Sequence, residues 1–435
     1  MKGKVEQLAA RLESALGTGA VKSGSPIPAS YNVDGKIPSI LLTPHNPEQI
    51  GTALRLCAEA EASVIPRGGG TAMGLGNIPL QADVILGLER LDGLVEHDDA
   101  NLTATAQAGI TVAAMEKILA QQNQFLAVEP PKPHLATIGG AVAANINGAR
   151  RMFHGGVRDL VIGMKMALAD GRQIKAGGKV VKNVAGYDMC KLFVGSLGTL
   201  GVITEVTFKL APIPESAATL VASGPLAQGL RLANEISQST LLPSALAILS
   251  ADVSKAADLS FPMPAVAVRA EGFNEAVARH LRETQDLAGR IGLRAEILRD
   301  GSHELLWDQV RDFAADGDNV LYRVTVPPAS LAEVAVKIEQ WSASGRPVRF
   351  IAHAGSGVVW VSLEADPSAA AWFGKLSTLA EEHKGHVVMA AAPPALKEGV
   401  DVWGPSPQSL AIMREIKQQF DPQRILSPGR FIARL

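Results

Sequence analysis

The sequence predicts a mixed fold of helices and strands, either α/β or α+β, that is divided into more than one domain. Strand-like and helix-like segments alternate along the N-terminal half of the chain. The chain has 435 residues, of which 47% are hydrophobic, so it can form more than one sizeable core. The proline-rich segment APIPES, residues 211–216, gives the clearest domain boundary.

The charge and the cysteine content exclude several classes of protein. A formal net charge of −2 implies no overall basic face for nucleic acid, and it leaves local basic patches open. With only Cys57 and Cys190, the chain has no disulfide framework and no metal or iron–sulfur spacing, which fits a reducing cytoplasm. The N-terminus is charged and amphipathic, so we expect no signal peptide, and no apolar run is long enough to span a membrane.

Local patterns predict the first elements. Asn46 is placed to cap a helix that starts at Pro47, and Ile50, Ala53, Leu54, Cys57 and Ala58 share its apolar face. Short apolar runs predict strands at residues 63–66, 82–88 and 103–108, and a helix follows over residues 111–122.

Later segments differ in composition and pattern from the N-terminal half. Hydrophobic and polar residues alternate over residues 202–210, which predicts a half-buried strand. Beyond residue 217 glycine clusters are sparse, and strands are predicted at residues 265–269, 320–326, 348–351 and 358–363. A last helix is predicted to begin at Pro407, with Ser406 as its N-cap, and to end at about Phe420.

Three glycine-rich segments carry the main functional signal. The first is RGGGTAMGLG, residues 67–76, where glycine lets successive N–H groups converge on an anion. The second is ATIGGAVAAN, residues 136–145, whose small side chains let a backbone approach a large ligand. The third is GSLGTLGVITE, residues 195–205. An ordinary turn, tight helix packing and a series of β-bulges are the respective structural alternatives, but three such segments together favour a phosphate-bearing ligand.

The order of these motifs resembles the vanillyl-alcohol-oxidase/PCMH flavoprotein superfamily, and within it the glycolate oxidase subunits. PRGGGT, ATIGG, RDLVIG and KNVAGYD..KLFVGS.GTLGVIT are similar to its FAD-binding elements over roughly residues 40–213. The resemblance implies an α+β fold: a PCMH-type FAD-binding domain of two subdomains at residues 1–213, an α+β cap or substrate domain at 214–400, and a C-terminal helix and tail at 401–435 that pack back on the FAD domain.

The resemblance also implies the residues that bind FAD. They are Arg67, Gly68, Gly69, Gly70, Thr71, Gly139, Gly140, Asn145, Gly201 and Ile203. Thr71 stands where some members of the superfamily attach FAD through a histidine, so the flavin is expected to be non-covalent. Lys182 in KNVAGYD is a weak candidate for a positive charge near the flavin, with an ordinary surface loop as the alternative.

The histidine motif of the catalytic relatives is incomplete in this chain. IAHAGSGVVW resembles a His-x-Gly-Asp-Gly-Asn-x-His element, but only His353, Gly355 and Gly357 match it. Val358 and Trp360 replace its asparagine and second histidine, and tryptophan cannot ligate a metal. We therefore expect no metal site and interpret His353 as a packing residue or a relic rather than a base.

These departures imply the FAD-binding subunit of a glycolate-oxidase-type complex. Such a complex oxidises a 2-hydroxy acid to a 2-oxo acid, with a catalytic flavin subunit and an iron–sulfur subunit as partners. We expect the chain in the cytoplasm, with contact to the inner membrane face only through those partners. The FDP..I..PGR pattern, residues 420–430, supports the resemblance.

Two alternatives stay open at the level of sequence. The first is a self-sufficient FAD-dependent D-lactate or other 2-hydroxy-acid dehydrogenase, in which His353 is the base and Arg323 or Arg349 holds the carboxylate. The second is a non-catalytic assembly subunit with a vestigial flavin site. The catalytic candidates His353, Lys182 and Arg349 are all weak.

Overall fold

The backbone of this protein, given by a computed structural model, folds into two compact units. The structure describes residues 2–178, 187–315 and 319–435. Unit 1 contains Met1–Ile146, Val157–Pro212 and Lys397–Leu435, and unit 2 contains Asn147–Gly156 and Ile213–Leu396. The domain boundaries at residues 213 and 400 stay a prediction about independently folding domains.

The helices are given first, for the described part of the chain. In chain order they are α1 (Lys2–Leu16), α2 (Pro47–Glu59), α3 (Val112–Leu119), α4 (Ile138–Ala144), α5 (Arg151–His154), α6 (Val157–Leu160), α7 (Met189–Phe193), α8 (Leu226–Ser237), α9 (Ala251–Ala256), α10 (Asn274–Ile291), α11 (Asp300–Asp312), α12 (Leu331–Ser344), α13 (Ala369–Glu382), α14 (Pro394–Lys397) and α15 (Leu410–Phe420). Within the described ranges, no helix combines the length and the hydropathy that crossing a membrane requires.

The strands of the same residues follow. They are β1 (Val21–Ser23), β2 (Ile40–Leu42), β3 (Val64–Arg67), β4 (Val84–Gly87), β5 (Leu94–Asp98), β6 (Thr103–Gln107), β7 (Gln124–Phe125), β8 (Val161–Ala167), β9 (Gln173–Gly177), β10 (Val202–Lys209), β11 (Ala211–Pro212), β12 (Ser216–Ser223), β13 (Ala245–Leu249), β14 (Ala265–Gly272), β15 (Arg294–Leu298), β16 (Asn319–Thr325), β17 (Arg349–His353), β18 (Val358–Glu364) and β19 (His386–Ala391).

Unit 1 contains two main sheets. The first has the strand order β1-β2-β4-β3, in which β2 and β3 run parallel to β4. The second is antiparallel with the order β5-β6-β10-β8-β9, and β7 pairs with β11 as a separate ribbon. A large apolar cluster buries α1, α2, α3 and α4 together with the inner sides of these sheets.

Unit 2 is built on one antiparallel sheet. Its strand order is β15-β12-β14-β13-β17-β18-β16-β19. Helices α8 and α10 contact β14, whereas α11 contacts β12 and α5 contacts β13. The short α5 comes from the segment Asn147–Gly156, which belongs to unit 2 although the chain on both sides of it belongs to unit 1. No local sequence pattern indicates that excursion.

Several local predictions are confirmed. The side chain of Asn46 accepts a hydrogen bond from the Gln49 N–H and caps α2, with Pro47 in its first turn. Cys57 lies fully buried on the apolar face of this helix. The predicted strands at residues 63–66, 82–88 and 103–108 correspond to β3, β4 and β6, each within two residues at either end. The strands predicted beyond residue 217 correspond to β14, β16, β17 and β18.

Two local predictions are wrong in detail. Strand β10 is buried on both faces over residues 202–206 and alternates only toward its end, and Glu205 pairs with Lys165 on β8 at 2.9 Å. The last helix begins at Leu410 and not at Pro407. The Leu410 N–H donates to the Pro407 carbonyl, so this proline lies in a turn that precedes the helix.

A buried polar relay links the strands of unit 2 to α11. Trp307 Nε1 donates to Thr219 Oγ1 at 2.7 Å, and this hydroxyl lies 2.8 Å from His303 Nδ1. His303 is 3% exposed, and its Nε2 has no hydrogen-bond partner among the described residues. Burial, with the nearby Arg269 as a second cause, lowers the pKa of His303 to about 4.

This relay predicts a pH-dependent stability. The pKa of His303 is lowered from 6.5 to about 4 in the folded protein, so the unfolded chain binds the proton first as the pH falls. The free energy of unfolding is therefore highest above pH 6.5, and it decreases as the pH falls from 6.5 toward 4. We expect the unfolding free energy to drop by on the order of 2 kcal/mol over this window, less than the full shift because solvent screens part of it. His303→Gln should flatten the curve in denaturant titrations, whereas the exposed His134→Gln should not. Parallel curves for wild type and His303→Gln would contradict the assignment.

Candidate functional site

The three glycine-rich segments of unit 1 meet at one open pocket. Its lining includes nine of the ten predicted cofactor residues: Arg67, Gly68, Gly69, Gly70, Thr71, Gly139, Gly140, Gly201 and Ile203. Asn145 does not line it. That residue ends α4 in the left-handed conformation, with φ of 49°.

The first glycine loop, residues 68–76, follows β3 and presses against the segment before α4. A Cβ built on Gly69 would overlap the carbonyl oxygen of Leu135, and one on Gly68 would overlap Thr137 Oγ1. Gly70 has φ of +80°, a conformation that a side chain disfavours. The backbone therefore reaches this position only because these residues carry no side chains.

The start of the first glycine loop presents open hydrogen-bond donors. Among the residues that the structure describes, none accepts a hydrogen bond from the backbone N–H groups of Gly68–Ala72. A run of backbone N–H groups in a turn is an anion-binding arrangement, since their dipoles point at one concave surface. Gly68–Ala72 also line the pocket, which directs this arrangement to a negatively charged ligand group.

The two glycines of α4 have different surroundings. The Gly139 N–H donates to the Ala108 carbonyl at 2.8 Å, and a Cβ on Gly139 would lie 2.5 Å from the Ala108 Cβ. The Gly140 N–H donates to the capping Thr137 hydroxyl, and a Cβ there would meet only that hydroxyl, at 3.0 Å. Gly139 is thus required for packing on the strand side, whereas Gly140 keeps the pocket wall free of a side chain.

The third segment is tied to the other two. The N–H groups of Gly195 and Leu197 donate to the carbonyls of Val142 and Ala143 at the end of α4. Gly198 has φ of +69°, and a Cβ there would lie 3.0 Å from Pro66 Cγ. These contacts hold the three segments in one arrangement around the pocket.

Two arginines bring positive charge to the pocket lining. Arg67 donates through its terminal nitrogens to the carbonyls of Gly68 and Ser30 and lies 4.3 Å from the ring centre of Tyr31. Arg430 enters from the C-terminal segment, and sequence reasoning assigned it no role even though the PGR pattern drew attention to it. The Nε of each arginine is buried and has no partner among the described residues.

Two of the catalytic candidates, His353 and Arg349, lie at the ends of β17 in unit 2. His353 is the last residue of β17, is 8% exposed and lies across the strands from Val358. Arg349 contacts the Ser362 hydroxyl at 3.4 Å, and its guanidinium lies 5.8 Å from the ring centre of Phe313. Lys182 lies outside the described residues. Within the described ranges, no three metal-ligating side chains come together.

A second cationic cluster lies on the sheet of unit 2. The guanidinium of Arg323 lies 6.0 Å from the ring centre of Trp360, its cross-strand neighbour. Burial lowers the pKa of Arg323, and the nearby Arg151 lowers it further. Burial and Arg323 together lower the pKa of His386. In the part of the chain that the structure describes, neither Arg323 nor Arg151 pairs with a carboxylate.

Comparisons with known proteins agree with this geometry. Residues 38–177 match the family model of the FAD binding domain, and residues 397–431 match that of the FAD linked oxidases, C-terminal domain. Apart from Asn147–Gly156, both matches fall within unit 1, and together they cover most of the residues that line the pocket.

The relatives include two glycolate oxidase subunits and a D-lactate dehydrogenase. The chain is 28% identical to glycolate oxidase subunit GlcD of Bacillus subtilis, over 92% of this chain and 90% of that protein. It is 29% identical to glycolate oxidase subunit GlcE of Escherichia coli, over 79% and 85%. It is 28% identical to a D-lactate dehydrogenase of Archaeoglobus fulgidus, over 91% and 92%.

A solved structure shares the fold. p-Cresol methylhydroxylase superposes with a TM-score of 0.76 at 17% identity, covering 99% of this chain and 97% of that one. The predicted α+β fold of the PCMH type is thereby confirmed.

The residues present fit FAD. The pyrophosphate of this cofactor needs open backbone donors and positive charge, which Gly68–Ala72, Arg67 and Arg430 offer with unused N–H groups. Its planar rings need a wall without bulky side chains, which Gly140, Ala143, Ala144 and Gly201 provide.

Gly140→Ala tests the pocket wall. Alanine suits a helix better than glycine, so we expect the apoprotein to keep or raise its melting temperature. The added methyl group should weaken FAD binding about ten- to hundredfold, as overpacking of a fitted site does. Flavin fluorescence titration measures the affinity and circular dichroism the stability.

The matched control is Gly289→Ala in α10 of unit 2, where a built Cβ meets nothing within 4 Å. An unchanged FAD affinity in Gly140→Ala would show that this face of α4 does not contact the cofactor.

Proposed function

Since the chain belongs to the FAD-linked oxidoreductases, we propose that it is the FAD-binding subunit of a glycolate-oxidase-type complex. The complex oxidises a 2-hydroxy acid to a 2-oxo acid and passes the electrons to an iron–sulfur partner. The similarity to the glycolate oxidase subunits GlcD and GlcE supports a complex of several subunits.

The observation that supports this proposal is a flavin pocket in unit 1 together with an incomplete histidine motif in unit 2. The pocket of unit 1 supplies open donors, positive charge and a smooth wall. In unit 2, His353 lies across from Val358 on the neighbouring strand, and Trp360 follows two residues later. A flavin accepts hydride from a hydroxy acid only when some group takes the hydroxyl proton, and neither Val358 nor Trp360 can do so.

Bound FAD would supply the hydride acceptor, and the residues of this chain would bind and orient it. The first glycine loop and Arg67 would bind the pyrophosphate, and α4 would orient the cofactor and exclude water from its face. Gly201 and Ile203 close the pocket near the start of β10. The residues that take the proton are assigned to the catalytic flavin subunit.

The proposal places the iron–sulfur cluster in a partner, because two cysteines are too few to hold one in this chain. There are only two, Cys57 and Cys190, and both are buried. Burial raises the pKa of Cys57 to about 12 and that of Cys190 to about 11, so both remain thiols rather than ligating thiolates.

The second cationic cluster, on the sheet of unit 2, favours an alternative function. Arg323 and Arg151, without a carboxylate partner in the described residues, fit the carboxylate of a 2-hydroxy acid. The neighbouring His386 stays neutral because its pKa is lowered. The chain would then be a self-sufficient dehydrogenase, as the similarity to a D-lactate dehydrogenase also suggests.

Purified protein should be yellow and should release its FAD on acid denaturation, because Thr71 cannot form the histidyl–flavin bond. Absorbance of the supernatant after precipitation measures the release. Flavin that stays with the precipitate would refute non-covalent binding, and colourless protein that FAD does not reconstitute would favour a vestigial assembly subunit.

His353→Ala should leave the turnover of the complex nearly unchanged, because Val358 and Trp360 replace the asparagine and the second histidine of the motif. Turnover is measured with a 2-hydroxy acid and an artificial electron acceptor, on the complex co-expressed with its partner subunits. A catalytic base contributes roughly 10²- to 10⁴-fold, so a loss of that size would contradict the proposal.

The isolated chain is the matching control for this experiment. It should show little or no turnover when it is fully loaded with FAD. Turnover by the isolated chain that His386→Ala or Arg323→Gln abolishes would instead establish the self-sufficient dehydrogenase.

A further inference from the structure

The C-terminal segment of unit 1 places two buried cations behind the first glycine loop. Lys397 is 1% exposed and Arg430 is 3% exposed, and they lie at the two ends of the family match over residues 397–431. Charged side chains are almost never buried so completely unless they have a specific partner.

Both cations bind the carbonyl groups of this loop. Arg430 Nη2 donates to the carbonyls of Met73 and Leu75 at 2.7 and 2.6 Å. Lys397 Nζ donates to the carbonyls of Gly74 and Gly76 at 2.5 and 3.4 Å. Four consecutive carbonyls thus face the cations, which fixes the second half of the loop, while the N–H groups at its start remain open.

The charges of this cluster do not balance within the described residues. Lys397 Nζ forms an ion pair with Asp34 Oδ1 at 2.8 Å. Asp34 is also the one acidic group among the described residues that acts on Arg430, and it forms no direct hydrogen bond with the guanidinium. One carboxylate therefore serves two buried cations. Burial lowers the pKa of Arg430 to about 10, which reflects this incomplete compensation.

The surplus positive charge faces the pocket. Arg430 is part of the pocket lining, whereas Lys397 is not, and Arg430 Nε is buried without a partner among the described residues. An unused N–H on a buried guanidinium is costly unless a ligand completes it. An anion in this pocket would satisfy both the hydrogen bond and the charge.

We propose that Arg430 is a binding residue for the pyrophosphate of FAD, held in place by the loop carbonyls and only partly compensated in charge by Asp34. The C-terminal segment is then part of the flavin site and supplies its buried counter-charge. This inference rests on the proposed function in one respect, which is that the pocket binds FAD.

The test compares ligands that do and do not carry the pyrophosphate. Apoprotein is titrated with FAD, ADP and riboflavin, and binding is measured by calorimetry or by flavin fluorescence. Arg430→Gln should lose at least about tenfold in affinity for FAD and for ADP, because a charge-assisted contact to phosphate is lost. Its riboflavin affinity should be unchanged, and Arg430→Lys should recover part of the loss.

For a second variant we expect the opposite effect on the ratio of FAD to riboflavin affinity. Asp34→Asn removes the carboxylate that compensates the cations, so it should lower the melting temperature of the apoprotein while raising the ratio of FAD to riboflavin affinity. If Arg430→Gln does not fold, as judged by circular dichroism, Arg430→Lys and Asp34→Asn still decide the question. The matched control is Arg414→Gln, an exposed arginine of the same segment.

The outcomes distinguish a failure of the proposed flavin function from a failure of the inference about Arg430. If wild type binds neither FAD nor ADP, the flavin function itself fails. If wild type binds FAD and Arg430→Gln loses affinity for FAD and riboflavin equally, or loses none, Arg430 has a structural role only and the inference is wrong. An Asp34→Asn variant with a lowered ratio of FAD to riboflavin affinity would also overturn it.

Discussion

The flavin pocket depends on a close approach of two backbone segments, the loop after β3 and the segment before α4. At Gly68 and Gly69 no Cβ fits between them, since the neighbouring atoms are the Thr137 side chain and the Leu135 carbonyl. The third segment then bonds to the end of α4 through the N–H groups of Gly195 and Leu197. The open donors, the smooth wall and the position of Gly201 all follow from that approach, because each segment is fixed by another rather than by its own local structure.

Buried cations from the C-terminal segment complete this arrangement. Besides Lys397 and Arg430, Lys417 in α15 donates to the carbonyls of Thr199 and Leu426 and pairs with Asp421 at 2.7 Å. Thr199 lies in the third glycine segment, so the C-terminal residues hold the backbone carbonyls of two of the three segments. In such loops water would ordinarily satisfy the carbonyls, but here lysine and arginine side chains do so. This explains in physical terms why a family model matches residues 397–431, far in sequence from the match at 38–177.

Sequence reasoning recovered what is encoded locally. The Asn46 cap, the face of α2 that buries Cys57 and the glycine-rich segments each depend on residues a few positions apart, and each could be read from the chain. Alternation predicted a half-buried β10, but Glu205 on its polar side is buried and paired with Lys165, a contact between residues forty positions apart that no local pattern shows. Arg430 could not be assigned to the pocket, because it reaches the first glycine loop across more than three hundred residues of sequence. The excursion of Asn147–Gly156 into unit 2 likewise has no local signal.

The cationic residues of unit 2 bear on function in a way that the histidine motif does not. Binding an anion and taking a proton are separate tasks, and they need different groups: a guanidinium always donates, whereas a base must be neutral and able to accept. Arg323 and Arg151 meet the first need and no carboxylate of the described residues competes for them. Burial, with Arg323 as the second cause, lowers the pKa of His386, which keeps a proton acceptor available at neutral pH but also weakens it as a base. Within the described residues, this cluster therefore suits the binding of an anion better than the ionisation of a hydroxyl group, and a self-sufficient dehydrogenase would have to rely on the weakened base His386.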